Sequence, residues 1–161
     1  MPNWCENRMI IKGKKEEIDR FLKEAKGEGE DKNLPVSLGK LVPVPKELLD
    51  GEDGYHWRLA HWGSKWDLCE CIITSRKDYK NGISKVEIDY ETAWSPISEG
   101  LCKISEIFPQ LEFFHKYIEE GVGFAGYQNF RAGRMLDELS LTETEPGTNA
   151  YRSIKRSIGW N

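Results

Sequence analysis

The sequence predicts an α+β fold, an antiparallel sheet that carries two helices on one face. The first observation is period-two alternation. It is clearest in residues 84–94, where Val86, Ile88, Tyr90, Thr92 and Trp94 alternate with Lys85, Glu87, Asp89 and Glu91, so one face is buried and the other polar. The second is a pair of helical stripes, Ile18, Phe21, Leu22 and Ala25 in one segment and Ile97, Leu101, Ile104 and Phe108 in another, each at the spacing of an amphipathic helix. The third is the order of elements: strand, helix, long insertion, strand, hairpin, strand, helix, strand, strand. Without the insertion this reads βαββαβ plus one extra C-terminal strand, the split-βαβ order of the ferredoxin-like fold.

The elements follow in turn. Residues 3–13 form a strand with Cys5, Asn7, Met9 and Ile11 on one face and Trp4, Glu6, Arg8 and Ile10 on the other, because side chains alternate. Residues 14–26 form the first helix, stopped by Gly27 and Gly29, which terminate helices readily. Residues 28–66 are a Pro- and Trp-rich insertion. Pro43 and Pro45 in it restrict the backbone and remove two donors, which predicts an extended ordered loop. YHWRLAHW (55–62) predicts a short helix ended by Gly63. DLCECIITS (67–75) is the second strand and would turn Cys69 and Cys71 the same way. Asn81-Gly82 signals a hairpin turn, since both residues tolerate positive φ. Ser95 as N-cap and Pro96 at the first helical position open the second helix, and Pro109 closes it. Residues 111–120 and 123–133 are strands around a Gly121–Gly123 turn. The domain is thus 1–133, with its insertion at 28–66, followed by a C-terminal extension at 134–161. In that extension AYRSIKRSIGWN places Tyr151, Ile154 and Ile158 on one helical face and Arg152, Lys155 and Arg156 outside it.

Composition narrows the function. At 161 residues and 39% hydrophobic, the chain can bury a core of its own. Its apolar runs are too short to span a bilayer, and Glu6 and Arg8 stand where an export signal needs apolar residues. The four cysteines form no C-x-x-C pair, which reads as reduced thiols in a cytosolic protein. A net charge of -4 argues against a general DNA-coating role, which depends on neutralising phosphates. No phosphate-binding glycine loop or nucleophile elbow is present, so no catalytic residue, cofactor or metal is assigned.

Five short stretches carry a resemblance: MPNWCEN at the start, HWGSKWD at 61–67, TAWSP at 92–96, Phe108-Pro109, and GVGFAG at 121–126. Through them the chain resembles the YubB-type ferredoxin-like domain family, borne on bacterial plasmids and phages and of unknown function. Members usually have Thr where this chain has Ser64. The resemblance implies the fold and a mobile-element setting. It brings no activity and no catalytic residues, and it does not reach past about Gly133.

Candidate sites divide between scaffold and chemistry. His61, Trp62, Lys65, Trp66 and Asp67 are the candidate binding set; they either anchor the insertion on the open sheet face or rim a pocket beside it. Buried aromatic clusters are commoner than sites, so anchoring is favoured. The row Glu87, Asp89, Glu91 reads as a solvated face tempered by Arg8 or Lys65, not as a metal cluster. The cysteines read as buried thiols, and the tail helix as docked back on the domain.

The function expected is a non-enzymatic binding protein acting through protein contacts in the bacterial cytoplasm. The first alternative is nucleic-acid binding by Arg131, Arg134, Arg152, Lys155 and Arg156. The second is an enzyme with His61 and Asp67 in acid–base roles. No membrane contact is expected, and the oligomeric state is left open.

Overall fold

The computed structural model describes residues 2–142 and 148–157, without the side chains at 148–151 and 155. Ile158, and the side chains of Tyr151 and Lys155, therefore lie outside the described residues. In chain order the elements are β1 (Trp4–Lys14), α1 (Lys15–Ala25), α2 (Leu38–Leu41), α3 (Glu52–His61), β2 (Cys69–Asp78), β3 (Ile83–Ala93), α4 (Ser98–Ile107), β4 (Glu112–Glu119), β5 (Phe124–Arg131), β6 (Arg134–Thr142) and α5 (Thr148–Ser157). The strands form one sheet in the order β2-β3-β1-β4-β5-β6, antiparallel throughout. The fold is α+β.

Two strands, not one, extend the sheet beyond β4. Residues 134–142, assigned above to the extension, pair along β5. The Ala132-Gly133 turn makes this possible: both residues have positive φ, 50° and 78°, the geometry of a tight hairpin whose twist matches its strands. The sequence RMLDELSL hides the strand because it lies at the sheet edge, where most of its side chains are exposed and alternation has nothing to enforce it.

The core lies on the helix side of the sheet. Met9 and Ile11 of β1, Ile18 and Phe21 of α1, and Leu101 and Ile104 of α4 are fully buried there. Phe21 meets Phe108 and Phe113 edge-on at 5.2 and 5.7 Å between centroids, a favoured aromatic geometry. The insertion joins this same core through Val36, Leu38, Val42 and Trp62. This corrects the expectation that it packs on the open face. Its apolar residues instead fill the layer beside α1 and α4, where the sheet already has partners.

Three local expectations also change. Trp94 leaves the buried face, because β3 ends at Ala93 and Trp94 adopts φ 71°. Helix α4 begins at Ser98, and the Ser95 hydroxyl donates to Gly63 O at 2.6 Å instead of capping it. Glu70 has φ 47° and the β2 register shifts between Cys69 and Ile72. The bulge sets Cys69 opposite Glu91 while Cys71 is buried in the core, so the two thiols do not share a face.

The tail docks on the sheet. Ile154 of α5 packs with Ile118, Ala125 and Leu141, on the face opposite the core. Arg8 Nη1 also donates to Ser157 O at 3.0 Å.

Candidate interaction surface around residues 58–67 and Trp94

Segment 61–67 is built from the end of α3 outward. Gly63 ends the helix with φ 85°, and a Cβ there would lie 2.3 Å from Glu99 Oε2 and 3.0 Å from Pro96 O. The positive φ favours glycine here, and the nearby Pro96 carbonyl leaves little room for a side chain. The Gly100 amide donates to Trp62 O at 3.2 Å, so the segment is fixed against the start of α4.

Trp62 and Asp67 are structural pins. Trp62 is 4% exposed, and its indole N–H donates to Val42 O at 2.8 Å. Asp67 accepts from the amides of Leu38, Gly39 and Leu68 at 2.7, 3.0 and 2.7 Å, and from Ser37 Oγ at 2.8 Å. A carboxylate at the first turn of α2 satisfies donors the helix leaves unpaired. Ser37 itself caps the same turn through the Lys40 amide.

His61 faces elsewhere. Its ring stacks on Trp57 at 4.2 Å and 12°, with Nδ1 2.8 Å from Trp57 O. His61 does not line the groove to which Asp67 contributes. Asp67 is taken up by four donors and His61 by its own helix, so the geometry does not assemble an acid–base pair.

Lys65 and Trp66 project outward, and Trp94 joins them. The Lys65 ammonium lies 4.2 Å from the Trp66 ring centre and 3.9 Å from that of Trp94, a cation held between two π faces. Trp66 and Trp94 stay 43% and 44% exposed, and Trp4 backs Trp66 at 6.1 Å. Arg58 Nε donates to Lys65 O at 2.5 Å, which orders the turn. Beside Trp66 runs a groove of about 400 Å³ lined by Pro43, Val44, Leu49 and Arg58. Sequence reasoning placed Trp94 in the core. The strand-end position of TAWSP is the signal that could have freed it.

The remaining candidates lie apart. Arg8 holds Asp89 with two bonds of 2.7 and 2.8 Å. Burial, then Glu91, Glu120 and Asp89, raise the Glu6 carboxyl to about 7. Burial drives the Cys71 thiol up to about 12 and Cys5 higher still, so neither is a nucleophile near neutral pH. Among the described residues no group of three His, Cys, Asp or Glu is placed to hold a metal ion. Arg131 and Arg134 flank the β5–β6 turn, whereas α5, with Arg152 and Arg156 exposed, packs by Ile154 near the other end of β5. The described cations of the nucleic-acid set do not form one patch.

Comparison with known proteins bears on the fold. Residues 71–150 match the family model of the ferredoxin-like domain in Api92-like protein. The second half of this chain is similar to the Api92-like ferredoxin-like domain. The chain is also 30% identical over 95 residues to the uncharacterized protein YubB of Escherichia coli strain K12, covering 57% of this chain and 61% of the relative. It thus spans about three fifths of that relative's length. The crystal structure of a protein api92 from Yersinia pseudotuberculosis shares 17% identity, with a TM-score of 0.49, over 65% of this chain and 39% of that one. The match over residues 71–150 includes TAWSP and GVGFAG, two of the stretches that carry the YubB-type resemblance. No helix among the described residues is long and apolar enough to cross a membrane.

Proposed function

We propose that the protein is a non-enzymatic binding module that grips a segment of a partner protein along the Trp66–Lys65–Trp94 edge. The observation that carries this reading is two half-exposed tryptophans bracketing a lysine beside an apolar groove. Tryptophan and arginine dominate the binding energy of protein interfaces; here Arg58 stands on α3 and Trp66 on the turn that Arg58 orders, so both lose little freedom on binding. The partner segment carries an apolar anchor for the groove and an acidic flank for Arg58 and Lys65. Of the two acids that line the groove, Asp31 and Asp67, Asp67 turns its charge to the α2 amides. The YubB-type resemblance adds the setting: the cytoplasm of a bacterium that carries a plasmid or phage.

The test is chemical cross-linking in host cells followed by recovery of the protein. Wild type and a Lys40→Ala control are expected to give the same discrete adduct, and W66A/W94A to lose it while unfolding at a similar temperature. An adduct that persists undiminished in the double variant overturns the reading.

A further inference from the structure

A row of cations crosses the whole sheet on the face opposite the core. Lys12 of β1 pairs with Lys85 of β3, and Lys85 with Lys77 of β2. On the other side Lys12 pairs with Glu112 of β4, Glu112 with Arg131 of β5, and Arg131 with Arg134 of β6. Directly opposed residues point to the same face, so this is one continuous rung. Lys12, Lys77, Arg131 and Arg134 are exposed, and among the described residues none of the four forms an ion pair. Lys85 reaches only Glu87, at 3.9 Å. Glu112, the single interruption, accepts a hydrogen bond from Asn129 Nδ2 at 3.1 Å.

Like charges placed directly across strands destabilise a sheet. Lys77, Lys85 and Lys12 in succession therefore cost stability until an anion lies over them. A groove of about 430 Å³ opens at this rung, with Lys12, Lys14, Gln110 and Arg131 in its lining. Six strands at the usual spacing give a row about 24 Å long, room for several consecutive phosphates.

The next rung supplies a different chemistry. It carries Glu87, Ile10, Phe114, Asn129 and Asp137. Ile10 and Phe114 are half-exposed at its centre, and Phe114 stacks with Tyr127 at 5.6 Å and 30°. Glu87 and Asp137 stand at either side of the apolar pair, and Lys116 one rung further on lies 5.7 Å from the Phe114 ring. A duplex presents two phosphate lines and hides its bases; a single strand presents one line with bases free to lie on apolar side chains.

We infer that this row binds the phosphates of a single-stranded nucleic acid, with its bases laid towards Ile10 and Phe114. The site is independent of the Trp66–Trp94 edge and does not use α5. The net negative charge of the chain does not oppose it locally. Glu6, Asp89 and Glu91 lie further along the same strands, which makes the face dipolar and orients a bound strand away from them.

The test is fluorescence anisotropy with a labelled oligothymidylate of about twelve nucleotides at low salt. Wild type is expected to bind, with log K falling against log salt at a slope of about −3, as contact with about four phosphates of a single strand requires. K12E/R131E and, as an independent pair, K77E/R134E are each expected to weaken binding roughly tenfold or more. Lys103→Glu on α4 is expected to bind like wild type, and Phe114→Ala to lose affinity with the salt slope unchanged. Absence of binding by wild type overturns the inference. So does tighter binding of the matching duplex or of anionic vesicles, or an equal loss in K103E.

Discussion

The carboxylate of Asp67 lies against the amide of Leu38, 2.7 Å away across 29 residues of sequence. The last position of HWGSKWD thereby caps the first turn of α2 and ties the two ends of the insertion together. Replacing Asp67 by Ala removes this cap and leaves buried donors unpaired. The expected loss is about 2–3 kcal/mol of unfolding free energy, read from urea denaturation, with α2 the first element to lose hydrogen-exchange protection.

Trp62 and Trp66 are four residues apart and play opposite parts. Trp62→Phe keeps most of the packing but abandons Val42 O, an expected cost of about 1–2 kcal/mol; Trp62→Ala is expected to cost about 3–5 kcal/mol. Trp66→Ala removes a ring that water already reaches and is expected to cost about 1 kcal/mol or less. Parallel denaturation curves of the three variants check the ranking.

His115 is completely buried, its Nε2 2.9 Å from Asn7 Oδ1. Burial, weakly opposed by Gln128, lowers its pKa from 6.5 to about 4. Between these values the unfolded chain binds a proton that the folded one refuses. The stability from neutral His115 is therefore complete above about pH 6.5 and is lost as pH falls towards 4, by an amount approaching about 3 kcal/mol. Stability measured against pH should lose this component in His115→Gln.

Glu6 gives the opposite sign. Its folded pKa of about 7 stands above the ordinary 4.5, so its ionisation destabilises the fold as pH rises between those values. Glu6→Gln is expected to stabilise the protein above pH 7 by about 1 kcal/mol after allowance for solvent screening. The advantage should vanish below about pH 4.5, where both side chains are neutral.

The central fold was legible wherever burial enforces a period. Alternation in β1 and β3 and the stripes of α1 and α4 exist because each has a buried face, and Val86, Ile88, Leu101 and Phe108 are where the pattern puts them. β6 was not legible, because Arg134 to Glu138 of this edge strand are exposed and only Leu139 and Leu141 at its end turn a side chain to a packed face. Nor was the side on which the insertion packs. Trp57 and Trp62 reveal that they need burial, but not against which layer. Within the candidate surface, Lys65 and Trp66 project outward. Trp62 and Asp67 became pins through long-range bonds to Val42 and Leu38 that no local spacing encodes, and Trp94 emerged from a left-handed turn. The cation row was invisible for the same reason, since Lys12, Lys77, Lys85, Arg131 and Arg134 meet only through strand register.

Site-specific photo-cross-linking tests the central claim most directly. A photo-reactive residue placed at position 66 is compared with one at Lys80, in the exposed β2–β3 turn. The account predicts a discrete adduct with one partner from position 66 that weakens when Trp94 is replaced by Ala, and none from position 80. Equal labelling from both positions, or an adduct from position 80 alone, would contradict it.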